Sequence, residues 1–392
     1  RETVARGVAW LQKQQQNNGL FGTNRAHDFI YDHAIATYAI CEAFGLGDDE
    51  ALRAAAQGGL DYLEAHRNPY SAWRYQPRDN DNDTSVTSWC LMACESGQQF
   101  GLKVSGQAQW TAFSFFDQIT DVTIGRHGYT RMGEPSGRQP GDHGVRFPVE
   151  KGEALTAAGL CCRCLLGQDP EDHPLLTTAA DLILKRLPEW DDKAGSIDLY
   201  YWYYASMALY QVGDAPWRTW SKALHRALLP SQRTDDAFAG SWDPISAWGH
   251  EGGRVYATAM ALLCLQAPYR YARITELLPL PREGLFAVAN RSWRSRRYEP
   301  FLKALDSAAD KEDVTDAQQA AIAAARLAMV PVEEAAVAEV RRLKGASDKR
   351  RAMERLKVIE SRFGKLPPGV AARELQDAWR RDPELRKKIR QP

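Results

Sequence analysis

A two-helix unit of roughly 50 residues recurs along the first 274 residues, and this repeat constrains the fold more than any other feature. Gly7-Val8-Ala9-Trp10-Leu11 matches Gly59-Leu60-Asp61-Tyr62-Leu63, each inside an amphipathic helix followed by a turn rich in Gly, Asn or Pro. A second pattern follows. Ala36-Thr37-Tyr38-Ala39-Ile40-Cys41 lines up with Val86-Thr87-Ser88-Trp89-Cys90-Leu91. It returns at Leu155-Thr156-Ala157-Ala158 and Ala257-Thr258-Ala259-Met260, and more loosely at Tyr204-Ala205-Ser206-Met207. The periodicity predicts outer helices near 2–15, 49–66, 106–119, 171–187 and 215–230. Inner helices are predicted near 32–45, 84–100, 150–166, 198–212 and 253–272. The inner set is apolar on nearly all sides, the mark of a buried helix, while the outer set carries Arg, Lys, Gln and Asp on one face. Five such hairpins imply an inner barrel of helices wrapped by an outer one.

The connections carry turn chemistry: Asn17-Asn18-Gly19, Gly45-Leu46-Gly47, Gly133-Glu134-Pro135 and Gly252-Gly253. Residues 121–149 form a long segment with six Gly and three Pro, and it is expected to cap one end of the ring. Composition changes after Arg273. Leu278-Pro279-Leu280-Pro281 breaks the helix, and a basic linker over 275–297 carries Arg291, Arg294, Arg296 and Arg297. Residues 298–392 read as a charged helical bundle or arm of four or five short helices, with breaks at Gly345-Ala346-Ser347 and Leu366-Pro367-Pro368-Gly369.

Lys+Arg and Asp+Glu both number 50, so net charge gives no argument for nucleic acid or an anionic membrane, and no nucleic-acid partner is expected. No apolar run reaches the ~20 residues of a spanning helix. The 7 Cys lie in apolar helical runs without disulfide or zinc spacing. They read as reduced core thiols, which points to a reducing, cytoplasmic compartment. The chain starts at Arg1 with no Met and no signal pattern, so it is expected to be a fragment or a processed form whose N-terminal address is missing.

The hairpins resemble the prenyltransferase/squalene-oxidase repeat, also called the QW repeat. Gln14-Gln15 followed by Gly19-Leu20-Phe21-Gly22 looks like its core, and Gly240-Ser241-Trp242 like another copy. Four stretches are similar to uncharacterised bacterial members: His33-Ala34-Ile35-Ala36-Thr37, Asp83 to Trp89, Asp198 to Ala205, and Gly252 to Ala259. The resemblance covers 1–274. It implies an all-α fold, the α/α-toroid of terpenoid cyclases and protein prenyltransferases, here with five to six hairpins and a helical tail. It also supplies three chemistries to test. Class II cyclases protonate an alkene with the middle Asp of D-x-D-D-T. In Asn80-Asp81-Asn82-Asp83-Thr84, aligned on Thr84, that position is Asn82, and an amide has no such proton to give. The zinc site of protein prenyltransferases needs a D-x-C pair that this chain lacks. In Cys94-Glu95-Ser96-Gly97-Gln98 the Gln stands one residue too far for a thioester. The expectation is therefore a ring without cyclase, zinc or thioester catalysis, and without a cofactor.

Thr37, Thr87, Thr156 and Thr258 hold equivalent positions, and four residues earlier stand His33, Asp83, Gly152 (with Glu153 beside it) and Arg254. Four residues is about one turn, so each keeps the orientation of its Thr. This places polar groups at the mouths of apolar helices. They either cap those helices, as Asp83, Glu153 and Asp198 suit, or converge on a ligand. Tyr200, Tyr203, Trp73, Tyr75, Trp242, Trp248 and Tyr256 are candidates for an aromatic wall, with His250, Glu251 and Arg254 as polar neighbours; packing between repeats is the competing role. The expected ligand is apolar or extended and sits in the central cavity, or a protein partner takes its place or binds the tail. Two alternatives stand beside this. One is an enzyme, cyclase-like or acting on a polysaccharide, with Asp83 and Glu153 as its acid and base. The other is a structural module whose tail does the binding.

Overall fold

Sequences with 3.6-residue apolar periodicity and Gly-rich breaks fold into helices joined by turns, and the computed structural model is mostly helical, with 68% helix and 2% strand. It is an all-α protein. The structure describes residues 2–47, 49–168, 170, 173–270, 280, 284–294, 297–346 and 349–385. The chain divides into two units, Arg1–Ile274 and Thr275–Pro392.

In the first unit, α1 (Glu2–Gln14), α3 (Arg53–His66), α5 (Gly106–Ile119), α8 (Pro174–Leu184) and α10 (Asp214–Leu228) alternate along the chain with α2 (Phe29–Gly47), α4 (Thr84–Gln99), α7 (Ala154–Leu165), α9 (Leu199–Val212) and α11 (Gly249–Arg270). The second set packs in series: α2 on α4, α4 on α7, α7 on α9, α9 on α11. The first set lies against it, with α3 on α2 and α4, and α8 on α7 and α9. The short α6 (Asp142–Arg146) and a two-residue strand pair, β1 (Thr120–Asp121) and β2 (Arg126–His127), lie in the long connection between α5 and α7.

The apolar character of α7 and α9 is used as expected, since nearly every residue of both is buried. α11 differs. Its Val255, Leu262 and Tyr269 lie at the surface, and among the described residues of this unit α11 is the last helix of the series. Gly253 also breaks its helical geometry at φ 61°, so the regular helix begins after the predicted Gly252-Gly253 connection.

Two tryptophans tie hairpins together in the same way. Trp73 donates its indole N–H to the Leu63 carbonyl at 2.8 Å and its backbone N–H to Thr87 Oγ1 at 3.2 Å. Trp242 donates to the Leu228 carbonyl at 2.9 Å and to Thr258 Oγ1 at 3.2 Å. A buried indole N–H left without its acceptor costs about 1–3 kcal/mol, so these bonds fix each loop to its helices.

Close packing also explains one glycine. A Cβ on Gly159 of α7 would lie 2.3 Å from His127 Cδ2, and His127 is held by Arg163 Nε at 2.7 Å. Gly159→Ala is therefore expected to cost about 1–3 kcal/mol by overpacking, measured as a lower midpoint in urea.

The second unit has its own core, with Phe286, Phe301, Leu305, Leu356, Ile359 and Phe363 among its buried residues. Its helices are α12 (Ala287–Arg294), α13 (Tyr298–Ala309), α14 (Asp316–Lys344), α15 (Lys349–Phe363) and α16 (Pro367–Arg381). α14 is 29 residues long, not one of several short helices, and starts on a capping box between Thr315 and Gln318. Both sequence breaks fall at helix ends, Gly345 after α14 and Pro367 at the start of α16. Of the expected basic linker, residues 275–279, 281–283, 295 and 296 and the side chains of Arg291 and Arg294 lie outside the described residues, while Ala287–Arg294 form α12.

Candidate functional site

Asp83 is the most constrained polar group of the repeat unit. It is the N-cap of α4, with Oδ1 accepting from the Val86 N–H at 2.8 Å, and it is 0% exposed. Its own N–H donates to the Trp73 carbonyl at 3.0 Å, so the tryptophan anchor sets its height. Tyr129 donates its hydroxyl to Oδ2 at 3.3 Å, and Arg74 Nε lies 3.4 Å from the same oxygen. Burial outweighs these stabilising contacts and pushes the carboxyl up to about 7.

Phenols surround this acid. Tyr129 and Tyr75 share a 2.7 Å hydrogen bond. Tyr31 donates to Ser85 Oγ at 2.8 Å, and Ser85 and Tyr200 share another of 2.8 Å. The Arg74 guanidinium lies over the Tyr75 and Tyr129 rings and pairs with Asp81, while His27 packs on Tyr75 with ring centres 4.2 Å apart. Tyr31, Tyr75, Tyr129 and Tyr200 are all half-buried and cluster around the buried Asp83 and Ser85, and this phenol cluster is the candidate recess. Burial, with Asp83 nearby, raises the Tyr31 and Tyr129 hydroxyls, which stay neutral donors. Behind Tyr200, Tyr204 stands at 5.1 Å, and Trp89 stacks on Tyr203 at 5.5 Å and meets Tyr204 edge-on at 5.4 Å. The Tyr204 hydroxyl is buried without a hydrogen-bond partner among the described residues. The loop that carries Arg74 to Asp83 is strained, with positive φ at Arg78 and Asn80.

The segment following α5 runs past the N-terminal ends of α4, α7, α9 and α11. Tyr129 meets Asp83 at the start of α4. Arg126 grips Glu153 at the start of α7 through bonds of 2.6 and 3.2 Å. Arg138 meets Asp198, the N-cap of α9, at 2.8 Å. Gln139 Oε1 lies 3.0 Å from His250 Nε2, and Gln139 also donates to Glu251, both at the start of α11. One strap thus engages polar groups at four helix mouths.

The residues singled out from the sequence fall into separate groups. Asp83 and Tyr200 belong to the recess. Tyr203 belongs to the wall behind it, and burial, with Asp198 and Tyr200 near, raises the Tyr256 hydroxyl. Glu153 is neutralised by Arg126 and also accepts from Thr156 Oγ1 at 3.1 Å. His33 is a strut: Nδ1 accepts from the Phe21 N–H at 3.0 Å and Nε2 donates to the Gly59 carbonyl at 3.1 Å. Burial brings its pKa down to about 4, so the ring is neutral. Trp242 is 1% exposed and anchors its hairpin. Arg254 pairs with Asp243 at 2.6 Å and stacks on Phe238 at 4.2 Å. Trp248 and His250 both pack on His143 of the strap. Asn82 spends its amide on the loop, accepting from Asn68 Nδ2 and the Ala72 N–H. Tyr75, expected among the aromatic-wall candidates, also belongs to the recess, whereas Tyr31, Ser85 and Tyr129 were not foreseen. Of these three, only Ser85, two residues after Asp83, had a sequence signal.

All seven cysteines are buried and free, and burial raises Cys41 and Cys162 to about 12. Among the described residues no group of three or more His, Cys, Asp and Glu could hold a metal ion, and no helix is long and apolar enough to cross a membrane. A cleft of ≈ 280 Å³ between α3 and the turn at Lys103–Ser105 is lined by Leu60, Asp61, Glu64 and Cys94 and shares no residue with the recess. No known family model, characterised protein or solved structure matches this chain.

Proposed function

We propose that residues 1–274 form an α/α-toroid of five helical hairpins that binds an apolar or extended ligand at the phenol-rimmed recess. The observation that carries this reading is Asp83, a buried acid lying under four half-buried tyrosines and one serine. A carboxyl that holds its proton up to about pH 7, together with neutral phenols, offers hydrogen bonds to one polar end of a ligand. The half-buried rings of Tyr31, Tyr75, Tyr129 and Tyr200 offer the apolar surface for the rest, backed from the core by the buried Trp89, Tyr203 and Tyr204. The series packing of α2, α4, α7, α9 and α11 and the QW-like sequence pattern support the toroid. A protonated Asp83 also supports the second reading, acid catalysis in the same recess. It would be the acid in place of Asn82 and without Glu153, which Arg126 already neutralises.

One experiment separates the two. The protein is titrated with farnesol, squalene and a linear isoprenoid diphosphate, following tryptophan fluorescence, and the mixtures are then analysed for products. Saturable quenching that weakens about tenfold in Tyr200→Ala, with ligand recovered unchanged, is the expected result; one lost buried hydrogen bond plus ring contact is of that size. A product above a boiled control that disappears in Asp83→Asn would replace binding by catalysis. Absence of saturable quenching by all three probes would remove both.

A further inference from the structure

We infer that one end of the C-terminal bundle is a nucleic-acid-binding surface that recognises the phosphate backbone electrostatically and without sequence preference. The neutral total charge conceals a segregation. Residues 1–274 carry 25 Lys+Arg against 32 Asp+Glu, whereas 275–392 carry 25 against 18. Within the second unit, 339–357 alone hold 8 basic and 3 acidic residues, most of the excess. The fold gathers them. α14 ends at Lys344 and α15 begins at Lys349, whose ammonium donates to the Lys344 carbonyl at 2.8 Å. The same ammonium lies 4.5 Å above the ring of Trp379, in the last turn of α16. Three helix ends therefore meet, and they bring together Arg341, Arg342, Lys344, Lys349, Arg350 and Arg381.

Part of this charge offsets the carboxyl-end dipoles of α14 and α16, and part is paired, Arg355 with Glu339 at 2.8 Å and Arg380 with Asp377 at 3.1 Å. Arg341, Arg350 and Arg381 are exposed and have no carboxylate at ion-pair distance among the described residues. Three exposed guanidiniums on helices whose ends meet, in a stretch with 8 basic against 3 acidic residues, are a source of positive potential. The choice of partner follows from what surrounds them. Among the described residues, the exposed large apolar side chains of the unit are Val288, Leu327, Val330 and Val370, none of them at this end. The described surface there thus offers a bilayer no apolar wedge and a protein interface no central anchor. Guanidinium groups match phosphate oxygens in two-point hydrogen bonding, and a purely electrostatic, arginine-rich surface fits the backbone of a nucleic acid.

The test is fluorescence anisotropy of the full chain with a labelled 20-base-pair DNA duplex and a labelled single-stranded RNA. Micromolar binding at 50 mM salt is expected, weakening about 100-fold at 200 mM, the loss for about four neutralised phosphates. The triple variant Arg341→Glu, Arg350→Glu, Arg381→Glu should lose at least about tenfold at 50 mM salt, while the matching triple Lys variant stays within about threefold. Thermal melts of both variants establish that the bundle folds. No binding at 50 mM salt, or binding indifferent to the Glu variant, overturns the assignment. So does equal binding to polyglutamate or to phosphatidylserine vesicles, which would transfer the surface to an acidic protein or a membrane.

Discussion

Arg163→Met should destabilise the protein by about 3–5 kcal/mol, the usual cost of removing one member of a buried charged network. Arg163 is 1% exposed in the middle of an otherwise apolar helix. Its guanidinium is satisfied on every side: Nε donates to His127 Nε2 at 2.7 Å, Nη1 to Asp117 at 3.0 Å and Gln168 at 3.3 Å, and Nη2 to Thr120 Oγ1 at 3.1 Å. The Phe113 ring lies 5.3 Å away. Burial lowers its pKa to about 10, so it remains charged at neutral pH, and burial, with the Arg163 charge second, keeps His127 neutral. Met fills similar volume but leaves a buried imidazole nitrogen, a hydroxyl and a carboxylate without their donor. Asp117 is 17% exposed and recovers some hydration, so the loss falls on His127 and Thr120 first. Denaturation in urea reads the effect. A loss below about 1 kcal/mol would mean that water replaces the guanidinium, and the network would not be a determinant of stability.

Much of the helical order was legible because it rests on periodicity. The alternation of charged-faced and all-apolar segments marks which helices lie outside and which pack in series. Gly253 and Pro367 mark breaks because backbone geometry demands them. Asp83 and Asp198 were readable as caps since an N-cap is a local rule, and both side chains accept from the N–H three residues on. The recess was less legible. Tyr75 and Tyr129 come from loops, and Tyr31 and Tyr200 from different helices, so no spacing in the sequence connects them. Arg126 and Arg138, which neutralise Glu153 and Asp198, lie in the Gly- and Pro-rich strap where periodicity says nothing. Arg163 looked like a charge inside an apolar run, and its partners arrive from β2, α5 and the turn at Gln168. Charge segregation between the units was present in the sequence but hidden by a total of zero.

Asp83→Asn should make the protein more stable than the parent at pH 8 and have little effect at pH 4. Burial raises the folded-state pKa from 3.8 to about 7. Between those values the unfolded chain loses the Asp83 proton while the folded chain retains it. The contribution of Asp83 to stability is therefore fully present below about pH 4 and is lost as pH rises through about 7. Asparagine never ionises, so its advantage grows across this window and levels off above it. About three pKa units at 1.36 kcal/mol each set an upper limit of about 4 kcal/mol. The cap itself survives, because the amide oxygen can accept from the Val86 N–H as Oδ1 does. Glu95, which burial also raises to about 7, titrates in both proteins and cancels in the difference. Urea midpoints of parent and variant at pH 4, 6 and 8 give the profile. A difference that stays flat, or that increasingly favours the parent at pH 8, would show that Arg74 and Tyr129 hold Asp83 ionised. The recess would then present an anion, and its ligand would have to bring a positive charge.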